Sequence, residues 1–143
     1  MDAALELVPP AAWAILTICQ EAAGEPDDGK LAVAEVIRDR TLLRYQSDGT
    51  VAGTVLRPYQ FSGWNTRDPN RLTNARLSIA SPVFAACARA WARACTEKTA
   101  LARGAVLYHA ASIEPPFWAR APEIQLVTTI GAHLFYTDET AGR

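Results

Sequence analysis

The pattern of the chain changes once, at Gly104, and that change limits its folds more than any other feature. Ahead of it, apolar residues recur at helical spacing in three long segments. Beyond it they gather in short β-branched and aromatic runs: "AVLYHA" (Ala105 to Ala110), "IQLVTTI" (Ile124 to Ile130) and "HLFYT" (His133 to Thr137). Gly131 separates the last two runs, and "EPPFWARAP" links the first two. Helices first and strands last predict an α+β fold. Its N-terminal part is mostly helical, and a small antiparallel sheet near the C-terminus packs on the helices. A length of 143 residues suits one domain, taken as 1–143.

Pro9-Pro10 leads into a first helix from about Ala11 to Ala23, with Ala12, Ile15, Leu16, Cys19 and Ala23 on one stripe. Gly24 is placed to end it as a left-handed cap, and Pro26 prevents its continuing. Pro26 also suits the first position of a second helix, with Asp27 and Asp28 in the turn where negative charge is favourable. That helix runs to about Tyr45. Val33, Val36 and Ile37 form its apolar line, with Leu31, Ala34 and Leu42 at the margins. "SDGT" is a turn, and Ala52 to Arg57 allows one helical turn. "PYQFSGWNTRDPNR", Pro58 to Arg71, has no period and reads as a long ordered loop, a composition common at binding sites. The longest helix is expected from Ser81 to Lys98. Its stripe is Phe84, Cys87, Ala88, Trp91, Ala94 and Cys95, and Trp13 and Trp91 are assigned to the core.

Several function classes drop out. Fourteen Lys and Arg against fifteen Asp and Glu leave a formal net charge of −1, which gives no argument for nucleic acid or an acidic membrane surface. The apolar runs are too short to span a bilayer, so no membrane insertion is expected. "MDAALELVPPAAW" has neither a basic n-region nor a long apolar run, so no signal peptide is expected. The three cysteines leave at least one thiol unpaired. Cys87 and Cys95, eight residues apart on one helix, would lie roughly 12 Å apart, beyond the ~7 Å a disulfide tolerates. All three read as small buried hydrophobes in a reducing compartment. There is no G-x-S-x-G elbow and no CxxC pair, and the spacing of His109 and His133 matches no ligand motif. Neither a metal nor a cofactor is expected, and each histidine reads as a hydrogen-bonded strand residue.

Carboxylates are the stronger candidates. Glu21 lies at the edge of the first helix's apolar stripe, one turn after Thr17 and Ile18. Glu25 precedes a proline, which favours an extended backbone. In one continuous helix the two would be about 5–6 Å apart, near the carboxylate spacing of a retaining glycosidase. Gly24 and Pro26 argue against that continuity, and a solvated helix end is the ordinary alternative.

The run "EAAGEPDDGKLAVAEVIRDR" resembles the signature of the SleB-type cell wall hydrolases, in which Glu, two small residues, Gly-Glu-Pro, a polar turn, Gly and an Ala-Val-Ala helix follow in that order. Further resemblances come in the same order: "VLRPYQFSGWN", "GAVLYHA", "PPFWA" and "IGAHLFY". Together they cover roughly Ala11 to Tyr136. This chain has Asp39-Arg40 where the family helix usually ends in Asn-Arg, and "CTEKTALARGA" where a Gly-rich Asp-Pro turn is common. Neither the secretion signal nor the wall-binding domain of the spore-lytic members is expected in it.

The resemblance implies a lysozyme-like fold and cleavage of the MurNAc–GlcNAc bond of peptidoglycan, with glycan strands as the partner and no cofactor. It maps the catalytic acid to Glu21, where apolar neighbours such as Ile18 would desolvate the carboxyl and raise its pKa. Glu25, Asp27 and Asp28 crowd the start of the second helix and Asp68 sits in the loop, so no good second carboxylate offers itself. The expected chemistry is therefore that of a lytic transglycosylase, in which Glu21 alone gives and takes a proton and the product ends in a 1,6-anhydro sugar. The alternatives are a muramidase using water held by Glu25 or Asp68, a non-catalytic peptidoglycan-binding virion protein, and, more weakly, a zinc amidase. Glu25 is assigned to structure, hydrogen-bonding backbone at the helix junction. Phe61 and Trp64 are expected to stack on sugar faces, with core packing as the other reading. Tyr108 and His133 are expected to face the cleft and hold the saccharide. A missing signal suits a phage or prophage lysin, made in the cytoplasm or carried in a virion, with other virion or lysis proteins as partners.

Overall fold

The computed structural model describes residues 9–57, 60, 61, 64 and 81–142. Helix α1 spans Pro10–Ala22 and α2 spans Asp27–Leu43. The short α3 covers Val51–Val55 and α4 covers Pro82–Thr96. Strands β1 (Leu107–Ala110), β2 (Ile124–Ile130) and β3 (His133–Asp138) follow, with one 3₁₀ turn, Phe117–Arg120, between the first two. The fold is the expected one, with helices first and a three-stranded antiparallel sheet last, in the order β1-β3-β2.

Proline starts α1 at its first position and Pro26 stands just before α2 as its N-cap. Gly24 is not the left-handed cap expected of it. Its φ is not positive, and a Cβ there would meet nothing within 4 Å. The break between the helices therefore rests on Pro26, which would lack the N–H needed to continue α1. The side chains of Thr50 and Ser81 cap α3 and α4 by accepting from Gly53 and Val83 N–H. The Pro58–Arg71 loop lies outside the described residues except at Gln60, Phe61 and Trp64.

Helix α2 is the centre of the molecule. Leu31, Val33, Ala34 and Ile37 join α1 and α4 in one core, while Ala32 and Val36 meet Phe135 of β3 in another. Leu31 and Ala34 are thus core rather than marginal, and Leu42 is exposed. Burial of each large apolar side chain stabilises by about 1.5–3 kcal/mol. Three charged residues are buried on the same helix, and each bonds the backbone of a different segment. Lys30 donates to the Glu25 carbonyl. Glu35 accepts from Leu101 N at 3.1 Å and Ala102 N at 2.8 Å. Arg40 donates from Nε to the Val106 carbonyl at 2.5 Å. These bonds tie the helix junction, the turn leading to the sheet and the start of β1 to one rigid rod.

On α4 the buried line is Cys87, Ala90 and Ala94, with Phe84, Ala88 and Trp91 half-buried beside it. Cys95 is exposed, contrary to expectation. Seven residues at about 100° each fall about 20° short of two turns, so Ala94 returns beneath Cys87, whereas an eighth carries Cys95 about 80° away. Cys19 of α1 and Cys87 are both free and buried, in the core where the two helices pack.

The β2–β3 hairpin turns on Gly131-Ala132. Gly131 has φ +55°, at the first central position where a two-residue hairpin of this hand calls for glycine. β2 carries a bulge at Val127, between the pairs Leu126–Tyr136 and Thr128–Phe135.

Candidate active site

Glu21 occupies the last turn of α1, half-buried. Facing it is Tyr108 of β1. The phenol is half-buried and lies within electrostatic reach of the Glu21 carboxylate. Burial pushes the Tyr108 phenol well above its usual pKa, and the Glu21 charge adds to that, while the Arg40 cation opposes it. Tyr108 therefore stays a proton donor at any ordinary pH. Its ring is fixed by His133, edge-on at 5.2 Å, and by Phe135 at 5.5 Å. The register explains this. Ala110 pairs with His133 and Tyr108 with Phe135, so Tyr108 and His133 lie on neighbouring strands and share a face. His109 and Tyr136 project to the other face, where His109 Nε2 lies 2.7 Å from the Tyr136 hydroxyl.

Glu25 is held differently. Its Oε1 accepts from the backbone N–H of Ala132 at 2.9 Å and stands 3.3 Å from His133 Nδ1. Its Cβ lies where a side chain on Gly29 would need to be, 2.8 Å away, and its Oε2 fills the space a Cβ on Gly131 would take. The junction between α1 and α2 is thus clasped to the tip of the β2–β3 hairpin. The backbone bonding expected of Glu25 is present, but its partner is that hairpin and not the helix junction. Burial lowers the His133 pKa below its usual 6.5, the Glu25 charge partly offsets this, and His109 adds to the lowering.

Trp64 sits half-buried beside α1. Its Nε1 donates to Thr17 Oγ1 at 2.8 Å, one turn before Glu21, and its ring meets Trp13 edge-on at 5.4 Å. Phe61 corrects the sequence reading. It is 1 % exposed, it packs in the core, and the Arg40 guanidinium lies 5.0 Å from its ring centroid. A buried ring with a cation over it offers no face to a sugar. Asp68 lies outside the described residues.

Arg40 was missed. It is 4 % exposed, bonds Val106 and Gln60, and interacts electrostatically with both Glu21 and Tyr108. Burial lowers its pKa, and the charges of Tyr108, Tyr45 and Glu21 work against that loss. A signal for it existed: Val33, Val36, Ile37 and position 40 continue one helical line, so a charged residue stood on the apolar stripe.

The structure thus sets the Glu21 carboxyl, at the end of α1, against Tyr108 on the antiparallel sheet. The family model described as Cell Wall Hydrolase matches residues 24–136, and the chain belongs to that family of peptidoglycan-degrading enzymes. The match starts three residues after Glu21. Two solved structures share the fold. One is the catalytic domain of the Bacillus cereus SleB protein, 21 % identical over 88 % of each chain, with a TM-score of 0.66. The other is the catalytic domain of the germination-specific lytic transglycosylase SleB from Bacillus anthracis. It is 20 % identical over 90 % of this chain and 98 % of that one, with a TM-score of 0.67. Comparison with curated proteins finds no match.

Proposed function

We propose that this chain is a lytic transglycosylase acting on the MurNAc–GlcNAc bond, with Glu21 as its general acid and base. The observation that carries the reading is the placement of Glu21 against Tyr108 of β1, with the buried Arg40 close enough to interact electrostatically with both. Glu21 protonates the leaving O4 of GlcNAc as the C1–O4 bond breaks. The muramyl 6-hydroxyl oxygen then bonds to C1 and returns its proton to Glu21, leaving a 1,6-anhydro ring. Between the two transfers Glu21 is a carboxylate, and there the Tyr108 hydroxyl and the Arg40 charge stabilise it most. Intramolecular attack needs no activated water. Glu25 is a poor second carboxylate, because its Oε1 accepts from Ala132 N–H and stands beside His133, and its Oε2 is packed against Gly131. Trp64, half-buried one turn before Glu21, contacts the saccharide, and the buried His133 holds the Tyr108 ring in place. The neighbour described as a lytic transglycosylase agrees with this reading.

Digestion of purified sacculi followed by mass spectrometry tests it. Products ending in anhydro-muramyl units, lighter by one water than hydrolysed ends, are expected. Exclusively hydrolysed ends would make the enzyme a muramidase.

A further inference from the structure

On the far face of β1 lies a cavity of about 650 Å³, within the range of small-ligand sites. Leu107 and His109 contribute to its wall from the strand, Tyr45, Phe117 and Trp118 supply aromatic rings, and Gln46, Gln60, Glu123 and Asp138 supply planar polar groups. None of the chemistry above uses this cavity, yet it shares Arg40, Gln60 and Tyr108 with the Glu21 side. The geometry points to a second sugar-binding subsite here, which takes an N-acetylhexosamine ring of the glycan strand distal to the bond at Glu21. The inference rests on the glycan-cleaving reading of that site.

The chemistry of the wall selects the ligand. Pyranose rings present C–H faces that pack on aromatic rings and hydroxyls that bond planar amides and carboxylates. The Trp118 indole is held in place by Tyr136 at 5.2 Å and His109 at 5.9 Å, so it is a preorganised wall. Phe117 at the rim is 89 % exposed. Gln46 lines the cavity, and its Oε1 is buried with no hydrogen-bond partner among the described residues, so a turn of the amide toward the cavity would give it a sugar hydroxyl as donor. The cavity is a poor cation trap. Asp138 already accepts from the Tyr45 hydroxyl at 2.8 Å and from Thr140 N and Oγ1, and the Arg40 guanidinium stands on the same wall. A neutral polyhydroxyl ring suits it better than the amino group of a stem peptide.

The test is NMR titration of the full chain, carrying Glu21→Gln to prevent turnover, with a β-1,4-linked N-acetylglucosamine hexamer and separately with a lysine-containing tripeptide. The hexamer is expected to shift the amides of His109, Trp118 and Glu123 as well as those near position 21. Phe117→Ala and Gln46→Ala, which leave the Trp118 packing intact, should each weaken hexamer binding about two- to tenfold. Shifts confined to the Glu21 side, or cavity shifts caused by the tripeptide and not by the hexamer, overturn the subsite. The two readings fail separately. If Glu21→Gln still cleaves sacculi while the hexamer fills the cavity, the catalytic assignment falls and the subsite stands. If Glu21→Gln is inert and the cavity amides do not move, the subsite falls alone.

Discussion

The last turn of α1 and the junction that follows it each carry a glutamate, four residues apart, and the fold treats them in opposite ways. Glu21 meets side chains: a tyrosine hydroxyl, with a buried arginine near by. Glu25 has a backbone hydrogen bond, from the N–H of Ala132, with the His133 ring 3.3 Å away and a cradle left by two glycines around it. Side-chain partners leave a carboxyl free to exchange a proton without moving the chain. Backbone partners make a carboxyl part of the frame. The contrast is the reason the proposed function gives chemistry to Glu21 and architecture to Glu25, although the residue type is the same.

The contrast is broken or sharpened most strongly at Glu21. Glu21→Gln keeps shape and hydrogen bonding but cannot deliver a proton, so clearing of sacculi should fall by at least about 10²–10⁴-fold with the melting temperature unchanged. Retention of more than a tenth of the activity, with Glu25→Gln folded and inert, would reverse the roles. Next is Tyr108→Phe, which keeps the packing on His133 and Phe135 and removes the hydroxyl. A hydrogen bond to a charged group corresponds to about a ten- to hundredfold loss in kcat, and an unchanged kcat would remove Tyr108 from the proposed chemistry.

On the architectural side, Gly131→Ala puts a Cβ into a left-handed position already filled by Glu25 Oε2. Denaturant melts should show a loss of roughly 2–3 kcal/mol, with the remaining folded enzyme still active. Glu25→Gln should cost less, about 1 kcal/mol, because the amide oxygen can still accept from Ala132. The smallest effect is that of pH at His133. Its folded pKa lies below the 6.5 of an unfolded chain, so the unfolded state takes up the proton first. Stability is full above about pH 6.5 and declines as pH falls toward the folded value. In His133→Gln the acid-side fall in melting temperature should be shallower. An equal slope would assign the acid sensitivity to other groups.

Local rules carried the sequence reading a long way. Prolines at positions 10 and 26, the Ser81 cap and the β-rich runs placed every long element among the described residues to within a few residues. What escaped was set by contacts distant in sequence. Glu25 answers to a turn 107 residues away, Glu35 to one 66 and 67 residues away, and Arg40 to a carbonyl 66 residues away. No periodicity encodes such a partner, although a charge on an apolar stripe announces that one exists. Phe61 failed for the same reason: an aromatic in a polar loop looks like a binding residue until the core it fills is known. Gly24 shows the limit of a residue rule, because proline two positions later already did the work the glycine was credited with.

The bulge at Val127 has a consequence for life in concentrated solution. β2 is an outer strand of the sheet, and a straight outer strand offers its unpaired amides as a template for another copy. The extra residue bends β2 and breaks the regular spacing of those amides, and Gln125 and Thr129 are exposed along it. Such a border is a poor template for a second chain pairing in register along β2.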